Sequence, residues 1–254
     1  MNKQLLSLIN SNDPHRSPLA KFIRFFQITR DYIKLTYKIE QDTGTFTQKQ
    51  LYSVKAAWAN DVLKLLNVEI NVKKMETELH SCIYVGNHIS YLDIPLVLNC
   101  VQANFVSKQE VSNWPIIGSA LKRSGTLLVK RGSAESRSHV ATQIANAVKN
   151  DNKKICIFPS GTTSLNEHKP WRNGIFKIAQ QNQIPIIPFR LTYEPLRKTA
   201  YIDKDFFPLH FYKLLRTKKI SATIEFGSSF YVKNPGLDCT ATQDWTKKLN
   251  RQQD

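Results

Sequence analysis

Apolar residues in the first part of the chain recur at helical spacing. Leu19, Phe22, Ile23, Phe26, Ile33 and Tyr37 approximate one stripe of a helix over residues 19–39, with Arg30, Lys34 and Lys38 along a basic row. Phe25, Ile28 and Leu35 widen the stripe beyond what one packed face requires. Asn12, Asp13, Pro14, Ser17 and Pro18 mark a loop before it, and Asp42-Thr43-Gly44-Thr45 separates it from a second helix over 47–66. The two predict an amphipathic helical hairpin. From about Val68 the period changes. Short β-branched and aromatic runs at 82–85, 104–106, 127–129, 155–158, 186–189 and 221–226 alternate with helix-length segments. That alternation predicts an α/β fold, a largely parallel sheet flanked by helices. The hairpin falls in residues 1–67 and the α/β domain in 68–254, where the polar tail after Pro235 forms a terminal helix.

Residues with chemical potential gather where these strands end. Val85-Gly86-Asn87-His88-Ile89-Ser90-Tyr91-Leu92-Asp93 follows a strand, and Ser90 with Asp93 three residues on has capping-box spacing. Within one straight helix, His88 and Asp93 would point about 140° apart, so pairing them requires the turn. Paired, they make a histidine base held by an aspartate. The same residues also suit a plain capped helix beside a buried imidazole. Gly125 to Gly132 ends a strand with Lys130 and Arg131, a combination suited to holding a phosphate or equally to facing solvent. Residues 155–164 run from a strand into Ser160, Gly161 and Thr162, small enough for backbone amides to approach an anion, or simply to make a turn. Ile184-Pro185-Ile186-Ile187-Pro188-Phe189 reads as wall. His15, His80, His139, His168 and His210 have no evident partners in sequence and are assigned structural or exposed positions.

A chain of 254 residues can bury a full core without disulfides. Cys82, Cys100, Cys156 and Cys239 are far apart and form no C-x-x-C pair, which argues against a zinc site or a secreted disulfide framework and fits a reducing cytoplasm. The opening apolar stretch is too short for a signal peptide, and no run of eighteen apolar residues occurs. The formal charge of +16 draws the chain to polyanions, either nucleic acid or an anionic lipid surface. Large aromatics interleaved with bases in the first helix favour the interface of a membrane. A second such segment, 205–219, reads as a packed helix with a basic end or as more of the same face.

In order and spacing the strand-end segments resemble the glycerolipid acyltransferase family, typified by the 1-acyl-glycerol-3-phosphate acyltransferases. His88 and Asp93 match its H-x4-D pair, Gly125 to Arg131 its G-x-x-x-x-x-R segment, Phe158 to Ser164 its F-P-E-G-T-x-S segment, and Ile184 to Pro188 its proline-flanked strand. Lys108, Glu110, Pro115 and Gly118 also fall as in its linking segment. The resemblance covers roughly residues 80–190 and implies the family's α/β fold and an O-acyltransferase. It implies transfer of a fatty acyl group from acyl-CoA or acyl-ACP, the co-substrate, to a lysophospholipid hydroxyl, with no metal and no other cofactor. The leading acceptor is 1-acyl-glycerol-3-phosphate, giving phosphatidic acid; the alternative is a zwitterionic or amino-acid lysolipid. His88 would act as general base and Asp93 as its orienting partner. Arg131 with Lys130 would hold phosphate, and amides near Ser160, Gly161 and Thr162, or at the start of the His88 helix, would meet the oxyanion. Ser160 departs from the family, standing where it has glutamate. A peripheral position on the cytoplasmic face of a membrane, without a transmembrane helix, follows from the same picture. A basic nucleic-acid-binding module would leave the four ordered segments unexplained, and a serine hydrolase would lack its G-x-S-x-G elbow.

Overall fold

The computed structural model describes residues 17–250 apart from 75–78, 80, 131–133, 167–168 and 203–204. Arg131, His15, His80 and His168 therefore lie outside the described residues. Helix α1 (Pro18–Thr43) starts where the Ser17 hydroxyl accepts from Ala20 N, with proline at its first turn, and stops at Gly44 in the left-handed region. Helix α2 (Gln48–Leu65) opens on a reciprocal Thr47–Gln50 capping box. The expected hairpin forms, but the face that α1 buries is rotated from its main stripe, whose Phe22 and Phe26 pack against the core only in part. Phe25 and Ile28 are in the core, while Leu19, Ile23 and Tyr37 are exposed. Packing against helix α8 (Phe207–Leu215) sets the choice: the Phe25 and Phe211 rings meet edge to face at 4.7 Å. Segment 205–219 proves to be a packed helix that keeps an apolar outer side. His210, Phe211, Leu214 and Leu215 are buried, whereas Phe206, Leu209 and Tyr212 are exposed.

Among the described residues seven strands form one sheet in the order β1-β7-β6-β2-β5-β3-β4. They are β1 (Val68–Lys73), β2 (Cys82–Gly86), β3 (Asn104–Lys108), β4 (Leu127–Val129), β5 (Lys154–Ile157), β6 (Ile186–Glu194) and β7 (Ile220–Phe226). Among the strand pairs of the described residues β6–β7 alone is antiparallel, and the largely parallel prediction holds. β6 outruns the predicted 186–189 because β7 pairs with it as far as Glu194↔Ser221. Strand β1 is not among the predicted runs, although Val68, Ile70 and Val72 alternate with Glu69, Asn71 and Lys73; it is a mostly exposed edge strand. Along β2, Cys82 and Tyr84 join the core beneath α1, α2 and α3 (Asp93–Cys100), while Ile83 and Val85 join a second core beneath α5 (Ala134–Lys149) and α6 (Gly174–Asn182). Strand β3 pairs with β5 only at Asn104↔Ile155 and Phe105↔Cys156, then continues with β4 alone. The sheet divides there. The shorter helices are α4 (Ile117–Arg123) and α7 (Leu196–Thr199), and α9 (Pro235–Asn250) is the expected terminal helix.

Two buried contacts fix α2 and the end of β2. Lys55 reaches from α2 to donate to Ala103 O at 2.7 Å, Asn104 Oδ1 at 2.6 Å and Ser124 O at 3.2 Å. Three acceptors match the three protons of an ammonium. Removal from water opposes its charge and pushes Lys55 down to about 7. Gly86 packs against the Phe189 ring, which a Cβ at this position would overlap.

Gly86→Ala is expected to cost about 1–3 kcal/mol, because the fully buried Phe189 must move. Chemical denaturation checks this, and Phe189→Leu in the same chain should recover part of the loss. For Lys55, the folded value lies below the ordinary 10.5, so between about pH 7 and 10.5 the unfolded chain holds more protons. Its contribution therefore makes stability rise with pH across that window. Lys55→Met should flatten the rise when urea midpoints are compared at the two ends; parallel slopes would refute the assignment.

Candidate active site

Strand β2 ends at the carboxyl edge of the sheet, where α/β proteins place their ligands. Asn87, the next residue, is fully buried. Its Nδ2 donates to Leu191 O at 2.9 Å, and its Oδ1 accepts from Leu191 N at 2.7 Å. A side chain thus satisfies the β6 backbone after the main chain of β2 has turned away.

His88 Nδ1 then lies 2.6 Å from Asp93 Oδ2. The same oxygen accepts from Ile89 N at 2.7 Å and Ser90 N at 3.1 Å, and Oδ1 accepts from the Tyr193 hydroxyl at 2.7 Å. Asp93 is fully buried, so these four donors replace its hydration. An ionised carboxylate only accepts, which puts the imidazole proton on Nδ1 and leaves Nε2 as the basic nitrogen. The ring lies flat on Phe158, with centroids 4.1 Å apart and planes within 8°. The predicted capping box is only half formed. Asp93 accepts from Ser90 N, but among the described residues Ser90 Oγ has no partner, and Leu92 takes the N-cap position without a side-chain bond. His88 and Tyr193 draw the carboxylate back over the turn. Burial and the Asp93 charge push Tyr193 well above its usual range, which keeps it a donor.

The 155–164 segment places its small residues as a turn beside this pair. Ser160 Oγ donates to Thr162 O at 2.8 Å, and Gly161, at φ 64°, donates to Phe158 O at 2.9 Å. Ser164 N donates to His88 O at 2.8 Å, tying the two loops together. The Gly161 amide, one of those expected to meet an oxyanion, is engaged internally, as are the Ile89 and Ser90 amides that precede α3. Lys130 is exposed, and its backbone N–H donates to Ser136 Oγ at 3.0 Å.

A largely apolar cavity of about 760 Å³ opens at His88. Tyr91, Trp114, Tyr201, Phe207, Thr162 and Arg172 stand among its lining residues; Lys130 and Ser160 do not. Arg172, whose N–H donates to Pro159 O at 3.2 Å, escapes sequence reasoning, although the two bases of Lys169-Pro170-Trp171-Arg172 just before a helix are a usable signal. Tyr193, 100 positions from Asp93, leaves no local signal. His210, assigned no partner from sequence, is buried; its ring contacts Ala200 O and the Tyr91 hydroxyl, each at 2.9 Å. Burial lowers its pKa. Among the described residues no group of three or more His, Cys, Asp or Glu is placed to hold a metal, and no helix is long and apolar enough to cross a membrane.

Residues 67–192 match the protein family described as Acyltransferase. A lyso-ornithine lipid O-acyltransferase of Pseudomonas aeruginosa is 28% identical over 176 residues, which cover 66% of this chain and 66% of that protein. A chloroplastic 1-acyl-sn-glycerol-3-phosphate acyltransferase of Brassica napus is 33% identical over 112 residues, 43% of this chain and 32% of the relative. The chain thus spans about two thirds of the first relative's length and one third of the second's. The crystal structure of the 1-acyl-sn-glycerophosphate acyltransferase PlsC from Thermotoga maritima superposes with a TM-score of 0.62 at 16% identity, covering 91% of this chain and 97% of that one. That likeness shows the fold.

Proposed function

Because residues 67–192 place this chain in the Acyltransferase family, we propose that it transfers a fatty acyl group from a thioester, acyl-CoA or acyl-ACP, to the hydroxyl of a lysophospholipid. The observation that carries this reading is the His88–Asp93 pair at the mouth of an apolar cavity. His88 Nε2 takes the proton of the acceptor hydroxyl as its oxygen attacks the thioester carbonyl. The tetrahedral intermediate expels the thiolate, the carbon–sulfur bond breaks, and the proton passes from His88 to sulfur. Asp93 holds the tautomer and stabilises the imidazolium, while Tyr193 and the two backbone amides hold Asp93. No acyl-enzyme is needed.

The leading acceptor is 1-acyl-glycerol-3-phosphate, with Arg131 and Lys130 assigned to its phosphate by their motif. Lyso-ornithine lipid is the second reading. It is favoured by Ser160 in place of the family glutamate and by the Pseudomonas relative's name. Arg172 suits a phosphate or a carboxylate. Leu19 and Ile23 on α1, with Phe206, Leu209 and Tyr212 at α8, supply an exposed apolar face on a chain of charge +16. That combination supports peripheral docking on an anionic membrane.

His88→Ala should lower acyl transfer about 10²–10⁴-fold while the fold persists. Tyr193→Phe, which acts through Asp93, should lower kcat by less and leave KM near the wild-type value. Mass spectrometry of products from a lysolipid panel with both thioester donors tests the class and the acceptor together. A fully active His88→Ala chain would end the mechanism. Arg131→Ala should impair phosphate-bearing acceptors more than neutral ones, and an equal loss with all of them would remove its assigned role.

A further inference from the structure

The cavity does not stay on one face of the sheet. Leu51, Val54 and Val62 of α2, with Phe105 and Phe158, wall it on the α1–α2 side. Val140, Ala141 and Ile144 of α5, with Ile175 and Ile178 of α6, wall it on the opposite side. The passage between them is the place where the sheet divides. Pairing of β3 with β5 ends at Phe105↔Cys156, and Ile157 keeps its β2 partner Val85 while Val106 turns to Leu127 of β4. Neighbours along a strand face opposite ways, so Phe105 and Val106, like Ile157 and Phe158, belong to different faces. All four line the one cavity.

We propose that this cavity is a fork with two acyl-chain sites: the α1–α2 branch takes the chain being transferred, and the α5–α6 branch takes the acceptor's own chain. The proposal rests on the acyl-transfer reading. His88 roots the first branch, because its ring is stacked on Phe158, a residue of that face. Arg172 roots the second. It stands two residues before α6, whose Ile175 and Ile178 line that branch, so an acceptor headgroup held by Arg172 directs its chain there. The transferred chain hangs from the thioester carbonyl and the acceptor's own chain from the molecule whose hydroxyl attacks it, so the two diverge from one reacting centre, and the divided sheet supplies a second apolar route.

The test has two arms. Native mass spectrometry with oleate should find two molecules bound to the wild-type chain and one to Ala141→Phe; a single molecule on the wild type overturns the fork, whatever the enzyme's activity. In the second arm, kcat/KM is measured across acyl-chain lengths of lysolipid and of thioester. Ala141→Phe should depress long-chain acceptors at least about 10-fold relative to short ones and leave the donor profile unchanged. Val54→Phe should do the reverse. Ile144→Ala, which only enlarges the second branch, should extend the range to longer acceptors and guards against misfolding of the bulky variants. Both bulky variants shifting the same profile, or neither profile moving, overturns the assignment. A wild-type chain that binds two oleates but transfers no acyl group would remove the acyl-transfer reading and leave the two-site cavity standing.

Discussion

Everything near the mouth of the cavity is arranged around one buried negative charge. A carboxylate taken from water is tolerated only when its oxygens are met by donors, and Asp93 has four, from the imidazole, two successive amides and a phenol. Each donor comes from a different part of the architecture or from the turn itself. The two amides make the carboxylate shape the loop, the phenol ties the loop to β6, and the imidazole is held as the remaining ligand. Orientation of the base and folding of the connection are thus satisfied by the same four hydrogen bonds.

The elements that carry strong periodicity were legible without coordinates, and so was the location of the chemistry. Strand β2 declares itself as an unbroken apolar run because it is buried on both faces, and His88 follows it in the turn. What stayed hidden depends on contacts between distant segments. Tyr193 and Asn87 acquire their roles only when β6 lies beside β2, a pairing that sequence spacing does not specify. The face that α1 buries is likewise set by contact with α8, nearly two hundred residues away, so its own stripe marks only part of it. The half-formed capping box is a local rule overridden because Asp93 serves three other donors besides the Ser90 amide.

Charge and apolar surface divide the remaining work. The cavity is mostly hydrocarbon with a few polar groups at its mouth, the usual composition of a site for an amphiphile. Lys55 is one of the charged residues in the wall, yet its three acceptors hold it in the seam between α2 and the β3–β4 region, so it functions as a structural tie. The net charge of +16, by contrast, biases approach to an anionic surface without choosing a headgroup.

The Asn87 amide gives the connection between β2 and α3 a fixed origin. Because its side chain occupies the next hydrogen-bonding place on β6, the count of residues from that point to Asp93 is measured from the sheet itself. One residue inserted or deleted between them would break either the Leu191 pairing or the imidazole–carboxylate contact, since no slack separates the two. The connection thus acts as a gauge. The spacing of the histidine–aspartate motif is therefore a distance standard imposed by the strand edge, and loop-grafting or recombination across Gly86 to Asp93 must conserve its length before it conserves any side chain.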